Sequence, residues 1–269
     1  MKILRRMLLL ALCLAPAGGG AVLAQEAGKA YEPMVGQEGK DVVWVPTPQV
    51  LTERMLDMAK VTPLDYVMDL GSGDGRNVIA AAKRGARGRG VEYNPDMVEL
   101  SRRIAAKEGV DGRAEFVQGD MFEADISAAT VLALFLLPDN LTRLTPKFLN
   151  LNPGSRIVAN GFGIGGWDPD ETSRVEGDCE QWCTAYLYIV PAKVAGAWKL
   201  PSGTLLLDQR FQLLTGTLET GGKTLSLTNG RLRGDQVTFT AGGVTYEGRV
   251  NGDAMEGANN AWRAVRARP

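Results

Sequence analysis

The densest chemical signal in this 269-residue chain is Asp69-Leu70-Gly71-Ser72-Gly73-Asp74-Gly75, which follows a short apolar run and opens a helical pattern. Glycines at such a turn let the backbone reverse sharply and approach a ligand that a Cβ would push away. The free N–H groups at the start of the next helix can meet a carboxylate or a polar tail. The spacing differs from the dinucleotide fingerprint, which places its third glycine at position 76, where this chain has Arg76. Two more carboxylates stand at comparable places. Glu92 closes a second apolar run and can accept hydrogen bonds from both hydroxyls of a ribose, and Tyr93 beside it offers a flat face to an adenine ring. Asp120 and Met121 follow a third run, where a carboxylate can accept from an exocyclic amine. Asp139 and Asn140, after Leu136-Leu137-Pro138, can accept from an incoming amine, or equally cap the helix that follows. Taken singly, Glu92 and Asp120 also read as solvated strand ends.

The elements that must hold these groups come from periodicity. Helical spacing of apolar residues covers Thr47 to Lys60 and stops at Thr62-Pro63; helices follow from Asn77 to Arg84, from Pro95 to Lys107 and from about Asn140 to Leu149. Strands are predicted at Tyr66 to Leu70, ending at Glu92, at Ala114 to Gln118, at Thr130 to Leu137 and at Arg156 to Phe162. Strand and helix in alternation predict an α/β fold with a parallel sheet covered on both faces. Ligands bind beyond the carboxyl ends of such strands, where Asp69, Glu92 and Asp120 all fall. From residue 193 onward the pattern changes to short Thr-, Leu- and Val-rich runs separated by Gly221-Gly222, Asn229-Gly230, Gly242-Gly243 and Asn251-Gly252. That is an antiparallel β module, a small barrel or a sandwich. Gly196-Ala197-Trp198 with Arg263 and Arg266 resembles the Gly-x-Trp and terminal Arg of lipocalin-like barrels.

Asp-Leu-Gly-Ser-Gly-Asp-Gly, Gly-Val-Glu-Tyr-Asn-Pro and Gln-Gly-Asp-Met, in that order, resemble the motifs of class I methyltransferases. More narrowly, the chain resembles the seven-strand lysine methyltransferases that act on the ATP synthase c-subunit and the ADP/ATP carrier, with their bacterial relatives. Val45-Pro46-Thr47-Pro48, Asn152 to Val158 and Trp167 extend the likeness, which covers residues 44 to 192. The resemblance implies a Rossmann-like seven-strand sheet and S-adenosyl-L-methionine as cofactor. It places Asp69, Gly71, Ser72, Gly73, Asp74 and Gly75 near the methionine part, Glu92 and Tyr93 at the nucleoside, Asp120 and Met121 at the adenine, and Thr47 on the entry side. The acceptor it implies is a protein lysine or a small amine. The chain lacks the Asn/Asp-Pro-Pro-aromatic run of many amine and base methyltransferases, and no single catalytic base can be named: there is no histidine, so carboxylates, tyrosine or solvent would have to serve.

Lys2, Arg5 and Arg6 before the apolar run Met7 to Pro16, with Val22-Leu23-Ala24 after it, read as a signal peptide cleaved after Ala24; the alternative is an uncleaved membrane anchor. Residues 25 to 43 are polar and aperiodic, a leader that drapes over the domain. The protein is therefore expected outside the cytosol, periplasmic or extracellular, with no membrane span after the signal. Loss of the three basic residues leaves 27 positive against 31 negative groups. That balance argues against a nucleic-acid partner. Cys179 and Cys183 form either a disulfide or two thiols facing the core. A metal site is not expected with two cysteines and no histidine. Two other functions compete: an exported adenosyl-ligand-binding or scaffold protein without methyl transfer, and an oxidoreductase, which the glycine spacing disfavours.

Overall fold

The computed structural model describes residues 31 to 267, so the signal segment lies outside the described residues. Helix α1 (Gln49–Met58) buries Leu51, Met55, Leu56 and Met58. It stops where Lys60 turns left-handed, with φ of 50°. Strand β1 (Tyr66–Leu70), helix α2 (Arg76–Lys83), strand β2 (Arg87–Glu92), helix α3 (Pro95–Lys107) and strand β3 (Ala114–Gln118) follow. Asn94 caps α3 by accepting from the Asp96 amide at 2.9 Å, with Pro95 at the first helical position. Next come β4 (Val131–Leu134), α4 (Pro138–Phe148), β5 (Arg156–Asn160), β6 (Glu171–Arg174) and β7 (Thr184–Ile189). The first five strands and their helices lie within a residue or two of their expected places, except β4. It ends at Leu134, so Phe135 to Leu137 are loop.

The strand order is β3-β2-β1-β4-β5-β7-β6, with β7 antiparallel to both neighbours and the pairs from β3 to β5 parallel. The order reverses between β1 and β4, which leaves a crevice at their carboxyl ends. Central strands are apolar on both faces, as a doubly covered sheet requires: β4 is buried along its whole length. Sequence periodicity did not reveal β6 and β7. β6 is only four residues long and mostly exposed, so it carries no apolar alternation.

Strands β8 (Gly196–Leu200), β9 (Gly203–Arg210), β10 (Leu213–Thr220), β11 (Lys223–Arg233), β12 (Gln236–Ala241), β13 (Val244–Asn251), β14 (Ala254–Gly257) and β15 (Arg263–Arg266) form a closed up-and-down barrel. The choice between barrel and sandwich is thus settled. Trp198, Leu205, Leu207, Leu218, Phe239 and Met255 fill the interior with at most 1% of each exposed, as eight strands allow. The seam between β15 and β8 is locked by the residues that carried the lipocalin-like likeness. The Arg266 guanidinium lies 4.4 Å from the Trp198 ring and donates to the carbonyls of Lys193 and Ala195 at 2.7 and 2.8 Å. Asn229-Gly230 is not a hairpin turn as expected. It lies inside β11, where the register to both neighbours shifts. Gly230 approaches the Leu214 carbonyl too closely to carry a Cβ, which would sit 2.3 Å from that oxygen, so the pair makes a bulge.

Candidate functional site

Three strand tips are tied together by their own backbones. The amides of Gly71 and Ser72 donate to the Val91 carbonyl at 2.8 and 3.1 Å, and the Gly119 amide donates to the Glu92 carbonyl at 2.9 Å. Both oxygens of the Glu92 carboxylate are held, one by the Gly73 amide and one by the Asn94 amide, each at 2.9 Å. Glu92 is therefore fixed in place with lone pairs left for ribose hydroxyls. At Gly73 the backbone has φ of 55°, and a Cβ would come within 2.6 Å of the Trp44 indole nitrogen. Gly75 meets Phe116 at the same distance. Gly73 thus serves the cleft, whereas Gly75 seats the start of α2 against β3 and lies outside the cleft lining.

Asp69, at the end of β1, is 3% exposed. One carboxylate oxygen accepts from Asn77 Nδ2 at 3.0 Å, while Asn77 Oδ1 accepts from Thr52. The other oxygen, Oδ1, is buried without a partner, as is Ser72 Oγ. Burial pushes the Asp69 carboxyl well above the ordinary carboxylate range; the Asn77 bond opposes this, and the nearby Glu92 and Asp74 carboxylates add to it. A buried, unpartnered acceptor beside two other carboxylates fits a cation such as the ammonium and sulfonium of S-adenosylmethionine. Asp74 is gripped by Arg76, whose guanidinium also donates to the Thr47 carbonyl at 2.5 Å. The Thr47 hydroxyl accepts from Asn160 Nδ2 at 3.2 Å.

Asp120 caps its own loop by accepting from the Phe122 amide at 2.8 Å, and it pairs with Lys40. The Lys40 ammonium beside it, with the Phe122 amide, holds the Asp120 carboxyl below the usual range. Lys40 Nζ also sits 4.9 Å above the Tyr93 ring. Of the expected leader, residues 37 to 43 line the cleft together with Trp44, Val45 and Pro46, and two backbone hydrogen bonds join Gly36 and Gln37 to Trp44 at 2.8 and 2.9 Å. At the other end, beyond β4 and β5, the lining is Phe135, Leu136, Leu137, Phe162 and Trp182.

The structure thus gathers Thr47, Asp69, Gly71, Ser72, Gly73, Asp74, Glu92, Tyr93, Asp120 and Met121 around one cleft. Asp139 and Asn140 are elsewhere. Asp139 stands in the first turn of α4, and Asn140 is 6% exposed and donates to the Asp41 carbonyl at 3.4 Å. Sequence reasoning missed Lys40, Trp44, Arg76, Asn77 and the three rings. Arg76 had a signal: it occupies the place where a nucleotide turn would have its third glycine. The rings had none, because their elements meet only in the fold. Among the described residues no cluster of His, Cys, Asp and Glu could hold a metal ion, and no helix is long and apolar enough to cross a membrane. Cys179 and Cys183 are joined in a disulfide.

Residues 69 to 171 match the family described as the ANTKMT methyltransferase domain. A protein-lysine N-methyltransferase of Saccharolobus islandicus is 45% identical over 152 residues, which cover 55% of this chain and 94% of that protein. An ATP synthase C-subunit lysine N-methyltransferase of Rattus norvegicus is 39% identical over 108 residues, 40% of this chain and 50% of the rat protein. The chain therefore spans nearly all of the archaeal relative and about half of the rat one. An RNA methyltransferase of Salinibacter ruber, solved with S-adenosyl-L-homocysteine, is 45% identical with a TM-score of 0.53, covering 56% of this chain and 96% of that one. With the 3-2-1-4-5-7-6 sheet, the three joined strand tips and these relatives, the chain belongs to the class I S-adenosylmethionine-dependent methyltransferases, in the family that includes the protein-lysine N-methyltransferases.

Proposed function

We propose that this protein methylates the side-chain amine of lysine, in a protein or peptide outside the cytosol. The observation that carries the reading is the charge of the cleft: Glu38, Asp41, Asp74, Glu92 and Asp120 line it, against Lys40 and Arg76. Such a surface favours a cationic nucleoside and a cationic acceptor and repels phosphate. The archaeal and rat relatives are named as lysine methyltransferases, which agrees. A small amine is the simplest alternative acceptor of the same chemistry. Export is supported by the basic-then-apolar amino terminus and by the disulfide, which persists in oxidising compartments.

S-adenosylmethionine supplies a methyl group already activated by a sulfonium, so the protein needs to align and enclose more than to activate. Glu92, with both oxygens fixed by backbone amides, would hold the ribose hydroxyls. Asp69, with its unpartnered Oδ1, would take the amino-acid ammonium, and a cation there would favour its ionised form. Trp44 and the strap around it exclude water from that end. The acceptor nitrogen must present a lone pair and hence lose a proton before attack. No histidine exists to take it, so a carboxylate, a tyrosine or solvent must receive it.

The test is labelled-methyl transfer by the chain starting after Ala24 to poly-L-lysine, to butylamine and to total RNA. Label enters poly-L-lysine, and kcat/KM climbs with pH toward the amine pKa of about 10.4, roughly tenfold per unit below it. RNA is the second reading, favoured by the name of the Salinibacter ruber structure. Label in RNA alone, or in no acceptor, overturns the proposal.

A further inference from the structure

The cleft has an end that the cofactor residues do not use. Phe135 follows β4, Phe162 follows β5, and Trp182 comes from the loop between β6 and β7. Phe135 and Phe162 are stacked with centroids 6.3 Å apart, and Trp182 is tilted against Phe135 at 5.8 Å. Trp182 is 39% exposed, an unusual place for the largest side chain. Its backbone has φ of 51°, and its side chain lies over Gly161, where a Cβ would meet the indole at 2.8 Å. Cys183, beside it, is buried and bonded to Cys179, and the Val175 amide donates to the Cys183 carbonyl at 2.9 Å. The same loop carries Glu176, Asp178 and Glu180, all exposed, and no basic residue between Val175 and Cys183.

Resting on the reading above that the acceptor is an amine, we infer that Phe135, Phe162 and Trp182 form the acceptor wall of the site. They take the aliphatic stem and the amino group of a lysine in an extended, basic peptide. The acidic loop draws that peptide in, and the Cys179–Cys183 disulfide is the positioning device that holds Trp182 in place. The physical grounds are joint. An aromatic face attracts an ammonium through its quadrupole and packs a methylene chain without hydrogen-bond demands. The wall adjoins the cofactor cleft at the tips of β4 and β5, so a nitrogen passing it is delivered to the methyl end and not to the adenine end marked by Asp120. Gly161 leaves the room that the indole fills.

The experiment is binding of Nα-acetyl-lysine methylamide, and of its Nε-acetylated neutral counterpart, to the chain saturated with S-adenosylhomocysteine, read by saturation-transfer NMR, with calorimetry for the nucleoside. The ammonium form binds better than the neutral one. Trp182→Ala weakens it by about fivefold or more, as an aromatic face over a desolvated cation requires, and Trp182→Phe restores most of the loss. The Cys179→Ser/Cys183→Ser double variant follows Trp182→Ala, and Glu176→Gln with Asp178→Asn and Glu180→Gln lowers the salt dependence of binding. S-adenosylhomocysteine affinity stays within twofold in each. Equal binding of neutral and charged probes, or no loss in Trp182→Ala, overturns the inference. Binding of the amine by a protein that transfers no methyl to any acceptor overturns the proposed function and leaves the wall standing.

Discussion

Asp69 is a buried carboxyl group with one oxygen without a protein partner. In the free protein its proton is held more tightly folded than unfolded, because burial raises its pKa well above the ordinary value. Stability contributed at this position therefore falls as pH rises from the unfolded carboxylate pKa, about 3.9, toward the raised folded value. A bound cation reverses that cost. Asp69→Asn keeps an acceptor for Asn77 and removes the ionisation. The expected result is a higher melting temperature of the free protein at neutral pH together with S-adenosylhomocysteine binding weaker by about 1.5–3 kcal/mol. Stability lost with affinity kept would show that Asp69 is a packing residue. Glu92→Ala is expected to weaken the same ligand by roughly 1–3 kcal/mol, since it frees the Gly73 and Asn94 amides as well as the ribose. Unchanged affinity in calorimetry would remove Glu92 from the site.

Strands present their carboxyl ends to the ligand only if their amino ends are anchored. Asp65, just before β1, does this. Its carboxylate accepts from the Thr62 amide at 2.8 Å and from the Thr130 hydroxyl at 2.7 Å, and it pairs with Arg156 at the start of β5. Arg156 in turn donates to the Ala59 carbonyl at the end of α1, at 2.9 Å. One group thus joins α1, β1, β4 and β5. Burial works to raise its pKa, but the bonds from Thr62, Thr130 and Arg156 outweigh it and hold the carboxyl below the ordinary range. The sign is opposite to that of Asp69: this stability is present above the unfolded pKa of about 3.9 and is lost as pH falls through the lower folded value. Asp65→Asn should cost about 1–3 kcal/mol near neutral pH and flatten the acid limb of a denaturation-midpoint profile, while nucleoside affinity stays the same. An unaltered acid limb would count against the anchor.

The barrel is fastened to the sheet through the segment after β5. Trp167 stacks on Phe211 with centroids 5.2 Å apart and planes within 6°. Gln212 donates to the Asp168 carbonyl at 2.6 Å, and Asp170, its side chain 1% exposed, pairs with Arg231 at 2.9 Å. The Ala192 amide donates to the Gly234 carbonyl at 2.8 Å, where Gly234 is packed on Gly154. A seam of stacked rings and a buried carboxylate couples the two cores, because opening it leaves the Asp170 charge without its partner. Scanning calorimetry is expected to show one cooperative transition for sheet and barrel, with Phe211→Ala lowering stability by about 1–3 kcal/mol, less than a full core truncation because Phe211 is half-buried. Two separated transitions in the unaltered protein would show that the barrel is an independent appendage.

Local pattern was enough for much of this molecule. The apolar runs, the helix stops and the order of acidic strand ends are properties of neighbouring residues, and they placed β1, β2, β3, β5, the four helices and the strand tips that border the cleft. Where two patterns competed locally, the chain alone was ambiguous: Asn229-Gly230 has turn chemistry, but the partners of β11 on both sides make it a bulge. Groups brought together from distant elements were out of reach. Lys40 meets Asp120 across 80 positions, and Phe135, Phe162 and Trp182 belong to three separate loops that converge only when β4, β5 and β7 are laid side by side. Closure of the barrel likewise depends on β15 finding β8, a pairing of chain ends that no periodicity encodes. Sequence spacing reports contacts within a turn or a strand, whereas a cleft wall is built from contacts whose geometry exists only after the sheet has assembled.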